Sequence, residues 1–142
     1  PDGLRIASVV DRNAFVWNAT SGARLIMLLS GHRGWIRAMA FVDGGSKVLT
    51  VSQWRMSIWD VRNGHRRTVR PIPNVKVVLA MPRSPRCILL GAKAVSAWNT
   101  ESGCKFGDFD GSEEHPEFLE GTEEFQRVAI SPGGDVVAAC TG

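Results

Sequence analysis

The sequence predicts an all-β protein built from a repeated four-stranded antiparallel unit. Three observations carry this: a recurring tryptophan, a glycine turn that keeps step with it, and short β-branched runs with no long helical stretch between them. Trp17, Trp59 and Trp98 stand 42 and 39 residues apart, and each is followed by Asn18, Asp60 or Asn99. A fixed period of this length marks stacked supersecondary units. Five residues after each tryptophan comes Gly22, Gly64 or Gly103, closing Thr20-Ser21-Gly22, Arg62-Asn63-Gly64 and Glu101-Ser102-Gly103. These are the residue types of tight turns between antiparallel strands. Fourteen residues before the tryptophans stand Gly3, Gly45 and Ser84, a second family of turns that Ser131-Pro132-Gly133-Gly134 continues.

Between the turns, Ala23 to Leu29, Lys47 to Ser52, Met56 to Val61 and Phe125 to Ile130 have the β-branched and aromatic content of strands. Each period holds four such strands with connections of about two to six residues, the usual length between antiparallel neighbours.

Composition bounds the answer. The chain has 142 residues, 44% of them apolar and 22% charged, the balance of one ordinary globular domain and not of a disordered tail. Its longest apolar runs, Leu25 to Leu29 and Val77 to Met81, fall far short of the roughly 20 residues that a membrane-spanning helix needs. The opening Pro1-Asp2-Gly3 has no basic, apolar and small-residue series of regions, so no secretory leader is expected within these residues, and a segment upstream of them is the place one would lie. Cys87, Cys104 and Cys140 are odd in number and widely spaced, which predicts neither a disulfide framework nor a zinc site. The expected setting is reducing and intracellular, cytoplasmic or nuclear.

At Gly31-His32, and again 27 residues on at Trp59-Asp60, which closes Met56-Ser57-Ile58-Trp59-Asp60, the chain resembles the WD-repeat family, whose unit is one blade of a β-propeller. The first copy keeps Ile6-Ala7-Ser8, Asp11 and Trp17-Asn18; the second has Gln53 where the family usually carries an aspartate; the third lacks Gly-His and has Ala92 at that place. The resemblance implies a buried hydrogen-bonded chain of histidine, serine or threonine, aspartate and tryptophan within each blade. It assigns structural roles to His32, Ser52, Trp59, Asp11, Trp17 and Trp98. A metal or catalytic role for His32 is the weaker reading, since no second ligand or base sits at suitable spacing.

The phase of the repeat implies thirteen strands. Residues 1–30 supply strands b, c and d of a first blade, 31–72 a second blade, 73–110 a third, 111–124 an acidic insertion, and 125–142 strands a and b of a fourth. Propellers close with about 4 to 8 blades, so the expectation is a segment of a longer ring of seven or eight, with a further tryptophan about fourteen residues after Gly134.

A fold of this kind brings no chemistry of its own, so function must be read from surfaces. The chain has no Gly-x-Ser-x-Gly, phosphate loop or His-Glu-x-x-His motif; neither catalysis nor a metal or other cofactor is expected. The resemblance implies a protein-interaction scaffold within a larger assembly, docking partners on the d-to-a and b-to-c loops. There Trp54-Arg55 places two residue types enriched at interface hot spots, with Arg12 and Lys93 in the equivalent turns. Folding of Trp54 back onto its own blade is the competing reading. The insertion adds Glu113, Glu114, Glu117, Phe118 and Leu119, within a 101–124 stretch of nine acids and one lysine: a docking element for a basic partner, or a solvated loop. Opposite in sign, residues 61–100 hold eight Lys or Arg and no acid, which makes an RNA-binding propeller the alternative.

Overall fold

The structure, a computed structural model, describes residues 3–28, 32–72, 75–81, 84–91, 95–109, 125–132 and 136–141. Lys93 and the acidic stretch with Glu113, Glu114, Glu117, Phe118 and Leu119 lie outside them.

Thirteen strands occur among the described residues: β1 (Arg5–Val10), β2 (Asn13–Asn18), β3 (Arg24–Leu28), β4 (Ile36–Val42), β5 (Lys47–Ser52), β6 (Arg55–Asp60), β7 (Arg66–Pro71), β8 (Val77–Ala80), β9 (Arg86–Leu90), β10 (Val95–Asn99), β11 (Lys105–Phe109), β12 (Phe125–Ile130) and β13 (Val137–Thr141). They form four meanders in chain order, β1-β2-β3, β4 to β7, β8 to β11 and β12-β13, with every pairing antiparallel. Among the described residues the one helical element is a 3-10 turn at Asp43–Gly45.

The three copies of the turn after tryptophan have one geometry. The side-chain Oδ1 of Asn18 accepts the amides of Thr20 and Ser21, each at 2.9 Å, and that of Asn99 those of Glu101 and Ser102. Asp60 accepts the amide of Arg62 at 2.8 Å. An Asn or Asp here offers the backbone a ready acceptor and so starts the turn. Gly22, Gly64 and Gly103 end it at φ of 68°, 70° and 67°, the left-handed region where a Cβ is unfavourable. Each then donates its amide to the carbonyl of Asn18, Asp60 or Asn99. A bulge falls at Val16/Trp17, Ile58/Trp59 and Ala97/Trp98, twisting each sheet at its tryptophan.

Adjacent sheets pack face to face through three apolar clusters. Val48 and Trp59 meet Ala14 and Val16 of the first sheet, while Leu49, Val51, Met56 and Ile58 meet Val78, Cys87, Leu89 and Trp98 of the third. Ile88, Leu90, Val95 and Ala97 turn the other way, toward Val128, Ile130 and Val137. Strands β5 and β9 are therefore covered on both faces, which is why Cys87 to Leu90 of β9 read as a continuous apolar run and not as an alternating pattern.

Candidate functional site

Buried polar chemistry is concentrated in the second sheet. Trp59 Nε1 donates to Thr50 Oγ1 at 2.7 Å, Thr50 Oγ1 lies 2.8 Å from His32 Nε2, and His32 Nδ1 lies 2.9 Å from Ser52 Oγ. Ser52 Oγ in turn donates to the Arg55 carbonyl at 3.3 Å. One proton placement satisfies every member: the Thr50 hydroxyl donates to Nε2, and Nδ1–H donates to Ser52. Thr50, which sequence reading passed over, is the junction of this chain. Ser52 takes the second imidazole nitrogen, so the chain closes with Gln53 in place of the family's aspartate. The signal for Thr50 was its place nine residues before Trp59, shared by Ser8 before Trp17.

The other copies differ as their residues dictate. Trp17 Nε1 donates to Ser8 Oγ at 2.8 Å. Asp11, assigned to the same chain, is exposed and takes φ 55° at the β1–β2 turn; its backbone carbonyl accepts the Ile36 amide at 2.9 Å. In the third sheet Leu89 stands nine residues before Trp98 and carries no hydroxyl, and Trp98 Nε1 donates instead to Ser96 on its own strand at 2.9 Å.

The chain directions in the second sheet require a neutral imidazole. Burial first, then the positive charges of Arg55 and Arg66, lower the His32 pKa from 6.5 to about 4. The unfolded chain thus binds this proton more readily than the native one. The stabilisation is complete above pH 6.5 and is lost as pH falls from there to about 4. We expect urea unfolding of the native chain to show a loss of about 2–3 kcal/mol over this interval. The loss is absent in His32→Gln; an identical pH profile in that variant contradicts the assignment.

This chemistry holds strands together. Burial pushes the Cys87 thiol up to about 12, so it carries no thiolate near neutrality. Among the described residues no group of three His, Cys, Asp or Glu gathers as a metal site, and no helix is long and apolar enough to cross a membrane.

The exposed chemistry lies at one end of the second sheet, where the β5–β6 turn meets the segment leading into β4. Trp54 is 65% exposed and does not fold back onto its sheet; Trp35 is 69% exposed. Beside Trp54 lies an open groove of about 530 Å³ lined by Arg33, Gly34, Ser52, Gln53, Trp54, Arg55 and Pro71. Its frame is pinned: the Ile72 amide donates to the Trp54 carbonyl at 3.1 Å, and the bond from Ile36 to Asp11 ties the β4 entry to the first sheet beside Arg12. Sequence reading found Trp54, Arg55 and Arg12 but missed Arg33 and Trp35, which adjoin His32 and were read only as part of its motif.

The arginine-rich stretch is largely occupied. Arg67 holds Asp60 through two bonds of 3.1 and 2.7 Å, Arg70 donates to the Gly103 and Ser102 carbonyls, and Arg66 and Arg86 lie over the rings of Trp59 and Phe106. Guanidiniums engaged in this way are poorly placed to track a phosphate backbone.

No family model matches the chain. Over 65 residues it is 40% identical to the nuclear distribution protein nudF 2 of Penicillium rubens, spanning 45% of this chain and 13% of that protein. The crystal structure of the β-propeller domain of Cps50 (Swd1) from Myceliophteria thermophila matches 98% of this chain with a TM-score of 0.82 at 15% identity. The fold is that of a WD-repeat β-propeller. The chain spans 46% of that solved chain, and its four sheets are propeller blades, the first with three strands and the last with two. In propeller terms the groove lies where the d-to-a connection entering the second blade meets that blade's b-to-c turn.

Proposed function

We propose that this chain is a non-catalytic, intracellular platform for protein assembly, one segment of a longer propeller that presents loop-built patches from a rigid frame. The observation that carries the reading is the pair of exposed tryptophans at one end of the second blade, on loops fixed by hydrogen bonds to their neighbours. Large exposed aromatics beside arginine are the residue types that anchor protein interfaces.

The longer ring has its own support. The position eleven residues before each repeat tryptophan is Ile6, Val48 or Cys87. Val48 and Cys87 are fully buried against the preceding blade, whereas Ile6 is 55% exposed, along with Leu4 and Val10. An apolar face of this kind calls for a blade before the first.

The test is the intact mass of the native polypeptide, followed by the mass of its native assembly. The expected results are a polypeptide of about 300 residues or more, enough for ring closure at this repeat length, and an assembly heavier than that polypeptide. A polypeptide near 15.5 kDa that runs alone as a monomer contradicts the proposal.

A further inference from the structure

Resting on the platform reading, we infer that the groove between Arg33 and Arg55 on the second blade binds an acidic peptide segment of a partner protein, with Trp54 stacking on the segment's apolar side chain. At about 530 Å³ the groove is within the range of ligand-sized clefts, roughly 300–1,000 Å³. Its lining combines two guanidiniums, the exposed indole of Trp54 and the small residues Gly34, Ser52 and Pro71, which leave room for a chain to lie flat. It contains no carboxylate.

Charge selects the occupant. Several basic groups elsewhere are neutralised or covered: Lys47 by Asp43, Arg67 by Asp60, Arg66 and Arg86 by aromatic rings. Among the described residues Arg33 and Arg55 have no acidic partner. The b-to-c turn of the first blade adds Arg12 against the single acid Asp11. A guanidinium presents a planar fork that fits a carboxylate with two bonds, so two of them on either side of one indole fit alternating acidic and apolar side chains. The groove is already shaped: the Trp54 carbonyl and the Ile36 amide are both held by neighbouring strands, which lowers the ordering cost of binding. A nucleic acid fits less well, because its charges repeat along a strand while Arg66, Arg67, Arg70 and Arg86 of the arginine-rich stretch are already engaged.

The test uses the full-length native chain and three probes: a synthetic twelve-residue peptide of glutamates around a central Phe-Leu, the same peptide with every Glu replaced by Gln, and a single-stranded oligonucleotide that matches the charge of the Glu peptide. By fluorescence anisotropy the Glu peptide binds, and its affinity falls steeply between 50 and 300 mM NaCl, as expected for charge pairs on a surface. The Gln peptide binds at least tenfold more weakly. Trp54→Ala and Arg33→Glu each lower affinity for the Glu peptide tenfold or more, and Arg55→Gln severalfold, whereas Arg62→Glu, at the opposite end of the blade, leaves it unchanged. Circular dichroism and melting curves identical to the parent chain show that the variants remain folded. Three results overturn the inference: equal binding of the Glu and Gln peptides, tighter binding of the oligonucleotide through the same residues, or concentration-dependent self-association abolished by Arg33→Glu, which would assign the groove to a second copy. If no peptide binds while the native assembly keeps its mass, the inference fails and the platform reading stands; a free monomer in the cell overturns the platform reading itself.

Discussion

Thr50→Val lowers the unfolding free energy of the native chain by about 2–4 kcal/mol, out of proportion to the one oxygen it replaces. The two side chains have nearly the same shape, so the volume filled at this position is retained and no cavity opens. What is lost is the junction of the polar chain. Trp59 Nε1 and His32 Nε2, now 2.7 and 2.8 Å from Thr50 Oγ1, are left buried without partners, and each orphaned group costs on the order of 1–3 kcal/mol. Thr50→Ser keeps the hydroxyl and is expected to recover most of the loss, with a residual cost of about 1 kcal/mol for the missing methyl. Midpoints of guanidinium unfolding at constant slope measure both. Equal destabilisation by Val and Ser would show that the methyl, not the hydrogen bonds, matters at this position.

Leu89→Ala costs about 3–5 kcal/mol, because the third blade is held by packing where the second is held by hydrogen bonds. Leu89 is fully buried in the cluster that joins the second and third blades, among Leu49, Val51, Val78 and Trp98. Sheets packed on both faces cannot collapse into the space left behind, which places this site toward the upper part of the range for truncated leucines. Leu89→Thr is a sharper comparison. It restores the hydroxyl found at Thr50 and Ser8, yet Trp98 Nε1 is already satisfied by Ser96, so the new hydroxyl removes apolar contact without relieving an unmet donor. It too is destabilising, by about 2 kcal/mol or more on the same unfolding measurement. A neutral or stabilising Leu89→Thr would mean that the third blade is a weakened copy of the second and not a differently built one.

The contrast between these two positions shows how much of the site was legible beforehand. Tryptophan, turn and glycine are local signals: Asn18, Asp60 and Asn99 cap their own turns within three residues, so their geometry follows from neighbours in sequence. Strands β5 and β12 fall where the β-branched runs placed them, at Lys47–Ser52 and Phe125–Ile130, for the same reason. The polar chain was only half legible. Which hydroxyl joins histidine to tryptophan depends on cross-strand register, and in the pairing of β5 with β6 it is Thr50 that lies opposite Ser57, two residues short of Trp59. Ser52, two positions further along β5, reaches the other imidazole nitrogen.

Exposure was the least legible quantity. Trp35 and Trp54 are chemically the same as Trp59, and a window of sequence does not tell a ring that faces a neighbouring blade from one that faces water. Arg55 and Arg66 likewise read as equal charges, yet one lines a groove and the other covers a buried indole. The sequence by itself determined the repeat, its turns and the all-β architecture, because these arise from contacts a few residues apart. The tertiary structure alone decided that Thr50 joins the buried chain, that Asp11 stands outside it, and that Trp54 and two arginines meet around one groove. Those facts depend on register between strands and on the stacking of blades, which bring together residues from nine to more than twenty positions apart.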